Sequence, residues 1–155
     1  FNADSVPDIV AENTSTGEKA VWLMQYSGST FSRSSSVSFS TDSGYRIVGT
    51  GDFNSDNNPD IVVEQLTSDT NWATAVSREI WFMSGTTRSS VHQFLNFKQE
   101  WRMRGVKDFD GNGTPDMLIQ QDGSGRRGVW YMTGQSITEG FIFTTVSPKW
   151  SLSIQ

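Results

Sequence analysis

No cysteine occurs in this chain, and that one absence removes disulfides, thiol catalysis and thiolate zinc sites together. A stable secreted β protein without disulfides needs another crosslink, and bound metal is the obvious substitute. Histidine is nearly missing as well: His92 is the single one, so Ser-His or Cys-His nucleophilic catalysis has one available base. The alternating segment Val91-His92-Gln93-Phe94 assigns that residue to an outward strand position, not to catalysis. Charged residues make up only 19% of the chain, too few Lys and Glu to coat long helices. The net charge of −5 lacks the basic stripe that releases counterions from nucleic acid, so nucleic acid is not an expected partner. No apolar run reaches the roughly 18 to 20 residues that span a bilayer, and no charged-then-apolar leader opens the chain. Membrane insertion is therefore not expected. Phe1 in place of Met fits a processed chain or part of a longer one, and the expected location is extracellular or at the cell surface.

What the chain does have is bulk to bury: 12% aromatic residues, six of them Trp, in 155 residues. That length supports one domain with a real core, and that composition favours an all-β fold. No stretch carries capped 3.6-residue periodicity, so helix is nearly excluded.

Self-similarity organises the rest. Pro-Asp followed by apolar residues occurs at Pro7-Asp8-Ile9-Val10, Pro59-Asp60-Ile61-Val62 and Pro115-Asp116-Met117-Leu118. Phe-Asn or Phe-Asp precedes each, at Phe1-Asn2, Phe53-Asn54 and Phe109-Asp110, and an apolar-Trp-x-Met signature follows, around Trp22, Trp81 and Trp130. A further aromatic, Tyr45, Trp101 or Trp150, opens the next unit. These landmarks define one repeat domain over 1–155, with units of approximately 1–52, 53–108 and 109–155. Asp8 to Trp22 and Asp116 to Trp130 are both 14 residues and Asp60 to Trp81 is 21, which puts a seven-residue insertion around 66–77, and insertions belong in loops. In the middle copy the segments 45–50, 60–65, 79–83 and roughly 90–97 read as strands. Four strands per unit of about 50 residues is the dimension of a propeller blade. The expectation is three four-stranded blades, a partial β-propeller completed by oligomerisation or belonging to a longer array. Trp22, Trp81 and Trp130 recur at equivalent places, which favours packing between blades over sugar stacking.

The chemistry lies in the loop between the first two strands of each unit. Asp108, Asp110, Asn112, Thr114 and Asp116 place oxygens at alternate positions, Thr114 through its backbone carbonyl. Hard cations such as Ca²⁺ take about six to eight oxygens, and alternate residues of a tight curl can converge on one ion. Asp52, Asn54, Asp56, Asn58 by its carbonyl, and Asp60 repeat the pattern. Asn2, Asp4, Val6 by its carbonyl, and Asp8 give an incomplete site, without a residue at the first position. Polar hairpin turns are the plain alternative, but they do not require three carboxylates that would repel one another without a cation. An EF-hand wants Glu at position 12, where Val63 and Ile119 stand, and magnesium prefers a smaller octahedral shell. Two calcium sites per chain are expected, with a third site incomplete.

With these residues in hand, the chain resembles the FG-GAP or VCBS-type repeat family, the blade of integrin α-subunit propellers and of many bacterial secreted proteins. Gly49-Thr50-Gly51-Asp52-Phe53-Asn54 and Pro59-Asp60-Ile61-Val62 carry the likeness, and Trp81-Phe82-Met83-Ser84-Gly85 resembles the bacterial variety. The resemblance implies propeller blades whose inter-strand loops bind Ca²⁺ on one face. The functional expectation is a non-catalytic calcium-binding protein for extracellular binding or adhesion, with a carbohydrate or protein ligand. Trp72 and Asn71, in the least repeat-like loop, are the candidate ligand contacts, lectin-like through the Trp ring. The competing expectation is a structural subunit of a self-associating assembly in which calcium only rigidifies the blades. Glu12 and Glu64 stand four residues after Asp8 and Asp60, with Gln120 third; on separate blades they are too far apart for a glycosidase pair.

Overall fold

A computed structural model describes residues 1–66, 75–98, 100–143, 147, 149, 150 and 152. These contain eleven strands and no helix: β1 (Ile9–Glu12), β2 (Lys19–Ser27), β3 (Thr30–Ser40), β4 (Tyr45–Gly51), β5 (Asp60–Gln65), β6 (Ala75–Ser84), β7 (Thr87–Lys98), β8 (Trp101–Lys107), β9 (Asp116–Gln121), β10 (Arg127–Thr133) and β11 (Ser136–Ile142). They form three antiparallel sheets in the orders β1-β2-β3, β4-β5-β6-β7 and β8-β9-β10-β11. No helix among the described residues is long and apolar enough to cross a membrane.

The all-β expectation holds, and among the described residues the first sheet has three strands where four were expected. β5 and β9 each pair on their outer side with a first strand, β4 or β8, whereas among the described residues β1 pairs with β2 alone. The aromatics Tyr45 and Trp101 begin the strands that open the second and third sheets, as read from the sequence. Two strands exceed their expected spans. Residues 75 and 76, read from sequence as insertion, join the ladder through Ala75↔Lys98 and Val76↔Phe97, at the end of the β6–β7 hairpin away from its turn at Gly85. The centre of that insertion lies outside the described residues, and Asn71 and Trp72 with it.

Alternation along the strands gives every sheet two apolar faces, and consecutive sheets bury them against each other. Between the first and second sheets, Ile61, Val63, Trp81 and Met83 pack with Phe1, Val10, Phe39, Tyr45 and Ile47. Trp81 is 1% exposed, with Phe39 edge-on at 6.4 Å, Tyr45 tilted at 5.8 Å and the Arg88 guanidinium over its ring at 4.5 Å. Between the second and third sheets, Val62, Ile80, Phe82 and Phe94 meet Met103, Met117, Ile119 and Met132, with Trp101 and Trp130 at the margin. The Trp-x-Met signature is thus a packing device at both interfaces. Burial of each such side chain stabilises by roughly 1.5–3 kcal/mol. His92, expected to point outward, shares its strand face with buried Phe94 and lies edge-on to it at 5.5 Å; the register Ile80↔His92 puts it on the side facing the third sheet.

The opening strands of the second and third sheets come close together. A Cβ on Gly51 would lie 2.5 Å from the Pro115 ring, and one on Gly49 would meet Val106 at 2.9 Å. Glycine there is a spacing requirement, since any side chain would push the two aspartate loops apart.

Candidate metal centre

The aspartate loops link the first two strands of the second and third sheets, and the corresponding segment enters the first. All three curl by the same backbone device. Positive φ occurs at the fourth and sixth loop positions each time: Ala3 and Ser5, Ser55 and Asn57, Gly111 and Gly113, all between 58° and 86°. Glycine adopts this region freely, and Asn better than most other residues, which accounts for Asn57, Gly111 and Gly113; nothing in the sequence marks Ala3 or Ser5.

In the third loop, residues 108–116, candidate oxygens of Asp108, Asp110 and Asp116 all lie within 4.8 Å of one another. Among the described residues this is the group of three or more His, Asp or Glu side chains brought so close. Asp108 is fixed by the N–H groups of Gly111 (2.7 Å) and Gly113 (2.9 Å). The latter, above all, holds its carboxyl below the ordinary aspartate range. Asp110 accepts from the Asn112 backbone at 3.0 Å. Asp116, fully buried, accepts from Phe109 N–H at 2.8 Å and Met132 N–H at 2.8 Å. Thr114 donates its N–H to Asn112 Oδ1 at 2.6 Å.

The second loop, residues 52–60, repeats these bonds with its charges redistributed. Asp52 accepts from Asp56 and Asn57 N–H. Asp60 is buried and tied to Phe53 and Met83 N–H, both at 3.0 Å; loss of solvent pushes its carboxyl upward, and nearby Asp56 and Asp52 add to the rise. Asp56 accepts from Asn58 N–H at 2.7 Å, which holds it low. Its three carboxylates do not converge as those of the third loop do. Asn54 occupies the place of Asp110, and the third acid is moved to Asp56, where it turns to its own loop backbone. Asn58 contributes a further tie, its Oδ1 accepting from Gly85 N–H at 3.3 Å.

The first loop contains Asn2, Asp4, Val6 and Asp8. Val6 N–H donates to Asp4 at 2.8 Å, and Asp8 accepts from Met24 N–H at 2.9 Å. In every loop an amide NH₂ donates to an acid, Asn2 to Asp4 at 2.7 Å, Asn54 to Asp56 at 3.0 Å and Asn112 to Asp110 at 3.1 Å. The amide hydrogens bring partial positive charge where the acids crowd. A calcium ion fits the same donors: Asp108, Asp110 and Asp116 through carboxylates, Asn112 through its amide oxygen and Thr114 through its carbonyl, all hard oxygen ligands.

The sequence reading noted Glu12, Glu64 and Gln120 as equivalent positions but missed their partners. Glu64 is fully buried and meets Arg78 at 3.1 Å as well as Arg46. Its Oε1 also accepts Met103 N–H from the next sheet at 3.1 Å, while Arg78 donates to Trp101 O. Glu12 does the same one sheet earlier, pairing with buried Lys19 at 3.2 Å and accepting Ile47 N–H at 3.1 Å. Gln120 and Arg127 occupy the third set of positions, both directed at Trp150 O. Glu12 and Glu64 therefore bind successive sheets together. The signal was present: Lys19, Arg78 and Arg127 each stand three residues before the repeated Trp.

No curated protein and no solved structure matches the chain. Residues 1–63 match the model of the FG-GAP-like repeat family. The same landmarks recur at 53–83 and 109–132, and each aspartate loop is wound by the same pair of positive-φ positions, so the rest of the chain repeats the pattern of the part that is similar to the FG-GAP-like repeat family.

Proposed function

We propose that this chain is a calcium-binding run of β-propeller blades whose third loop, and with it the second, holds Ca²⁺, and that the rigidified blades serve non-catalytic binding or adhesion outside the cell. The observation that carries this reading is the convergence of Asp108, Asp110 and Asp116 oxygens within 4.8 Å. Three carboxylates that close repel strongly unless a cation sits among them, and a set made entirely of oxygen donors suits calcium. In the second loop Asp52, Asn54, Asp56, the Asn58 carbonyl and Asp60 would take the same roles with the same formal charge. A carbohydrate or protein ligand contacted by Trp72 and Asn71 belongs to this reading as its recognition element, on the chemistry of an aromatic ring in an inserted loop.

Isothermal titration with calcium tests it. Two ions per chain are expected for the parent protein and one for Asp108→Ala combined with Asp110→Ala. Absence of binding at millimolar calcium would reject the reading. A glycan array or protein pull-down that is unchanged by Trp72→Ala would reject the recognition element alone.

A further inference from the structure

Four arginines of the second and third sheets share two carboxylates. Glu64 Oε2 accepts from Arg46, Glu64 Oε1 meets Arg78 Nε at 3.1 Å, and Arg102 Nη1 stands 4.0 Å from Oε2. Arg102 Nε meets Asp122 Oδ2 at 3.4 Å, and Arg104 Nη2 meets Asp122 Oδ1 at 3.0 Å. Among the described residues this connected group carries four positive and two negative charges. It is a cationic surplus of two inside a chain whose net charge is −5.

The surplus has a cause in the strand register. Arg46 of β4 stands opposite Glu64, whereas its counterpart Arg102 of β8 stands opposite Gln120, an amide that brings no charge. Arg78 is buried with Glu64, but the side chains of Arg46, Arg102 and Arg104 keep 32%, 20% and 29% of their surface exposed. Their donors are not used up. Arg104 Nε is buried without a hydrogen-bond partner among the described residues, and Arg102 Nη1, at 4.0 Å, lies beyond hydrogen-bond reach of Glu64.

The three guanidiniums belong to one place. β4 and β8 lie side by side, so that a Cβ on Gly49 would meet Val106 at 2.9 Å, and Arg46 Nη2 crosses to Met103 O at 2.7 Å. The aspartate loops do not supply the missing charge. Both strands run from these arginines toward the loops, and Asp52 and Asp108 each follow their arginine by six residues, roughly 20 Å of extended chain. That distance exceeds the Debye length of about 8 Å at physiological salt.

We propose that Arg46, Arg102 and Arg104 form a binding site for a doubly charged oxyanion, sulfate or phosphate, either free or as a phosphate ester. Guanidinium forks meet such oxygens with paired N–H donors, and a divalent group balances the surplus of two, where a single carboxylate would leave half of it. Glu64 and Asp122 are positioning residues that hold the forks from behind. The site uses no metal and lies at the end of the strands away from the aspartate loops, so it is independent of the calcium reading.

Titration in chelator, at constant ionic strength set with sodium chloride, keeps calcium and general screening out of the test. Inorganic sulfate and phosphate should shift the Nε–Hε NMR signals of Arg46, Arg102 and Arg104 saturably, and acetate should bind more weakly. Arg102→Gln and, separately, Arg104→Gln should each weaken sulfate binding by roughly tenfold or more. Arg33→Gln, on the first sheet, should leave it unchanged, and circular dichroism checks that every variant folds. Glucose 6-phosphate set against inorganic phosphate separates the sources: tighter binding of the ester assigns the site to a phosphorylated molecule, and equal or weaker binding to the free ion. Arginine signals that stay still in sulfate and phosphate, an acetate response as strong as that to sulfate, or sulfate binding that survives both variants overturns the proposal.

Discussion

The N–H of Met132 donates to Oδ1 of Asp116 at 2.8 Å, joining the Met of one repeated motif to the Asp of another. Met83 with Asp60 and Met24 with Asp8 form the same bond at 3.0 and 2.9 Å. The last acid of each loop therefore ties its loop to a neighbouring strand whether or not an ion is bound, whereas the earlier acids bond within their own loop.

That division gives a prediction. Asp60→Ala leaves the N–H groups of Phe53 and Met83 without their acceptor in a buried place, and should destabilise by about 2–5 kcal/mol. Asp110→Asn, on an exposed loop rim, should change metal-free stability by less than about 0.5 kcal/mol. Urea unfolding in chelator measures both, and equal losses would contradict the division.

Calcium should raise the melting temperature. An ion bound only by the folded chain stabilises by about 2.7 kcal/mol at a hundredfold excess over Kd, which is roughly 5–10 °C for a domain of this size. Scanning calorimetry with calcium and then with chelator measures it, and Asp108→Ala should reduce the rise.

Carboxyl titration in metal-free protein should split around the ordinary aspartate value of 3.8. Asp108, lowered by backbone N–H donors, should titrate below it, and Asp60, raised by burial, above it. The sign for stability follows: the contribution of Asp108 is complete above 3.8 and is lost as pH falls through its lower folded value. Asp60 acts in the opposite sense, opposing the fold once pH rises through its higher folded value. Carbon-detected NMR titration reads both midpoints.

Glu64→Ala should cost about 3–5 kcal/mol, because it strands the buried Arg78 charge. Glu64→Gln should be milder, since Gln120 serves beside Arg127 at the same place in the third sheet. The midpoint of chemical unfolding separates the two.

The sequence made the strands and loops legible because their signals are local: turn residues, alternation, and landmarks repeated in one order. Residues 60–65 were read with their true limits. The Glu64 and Arg78 pairing was not legible, although both residues repeat, since what a buried carboxylate faces depends on the sheet beyond it. His92 was misread for the same reason: alternation assigns a face to each residue without saying that the second face of a sheet is also covered. Ala3 and Ser5 give no hint of their left-handed backbone, which follows from loops built like those around Gly111 and Gly113.

The three curls hold one shape with different residues at the strained positions. In the third, glycines adopt it freely. In the first two, Ala3, Ser5 and Ser55 are held in a backbone region that disfavours side chains by roughly 1–2 kcal/mol each. The loops' own hydrogen bonds already hold these residues there, so winding the first two curls takes up stability that the third keeps. If calcium binds as proposed, the third loop should therefore fill at a lower calcium level than the second.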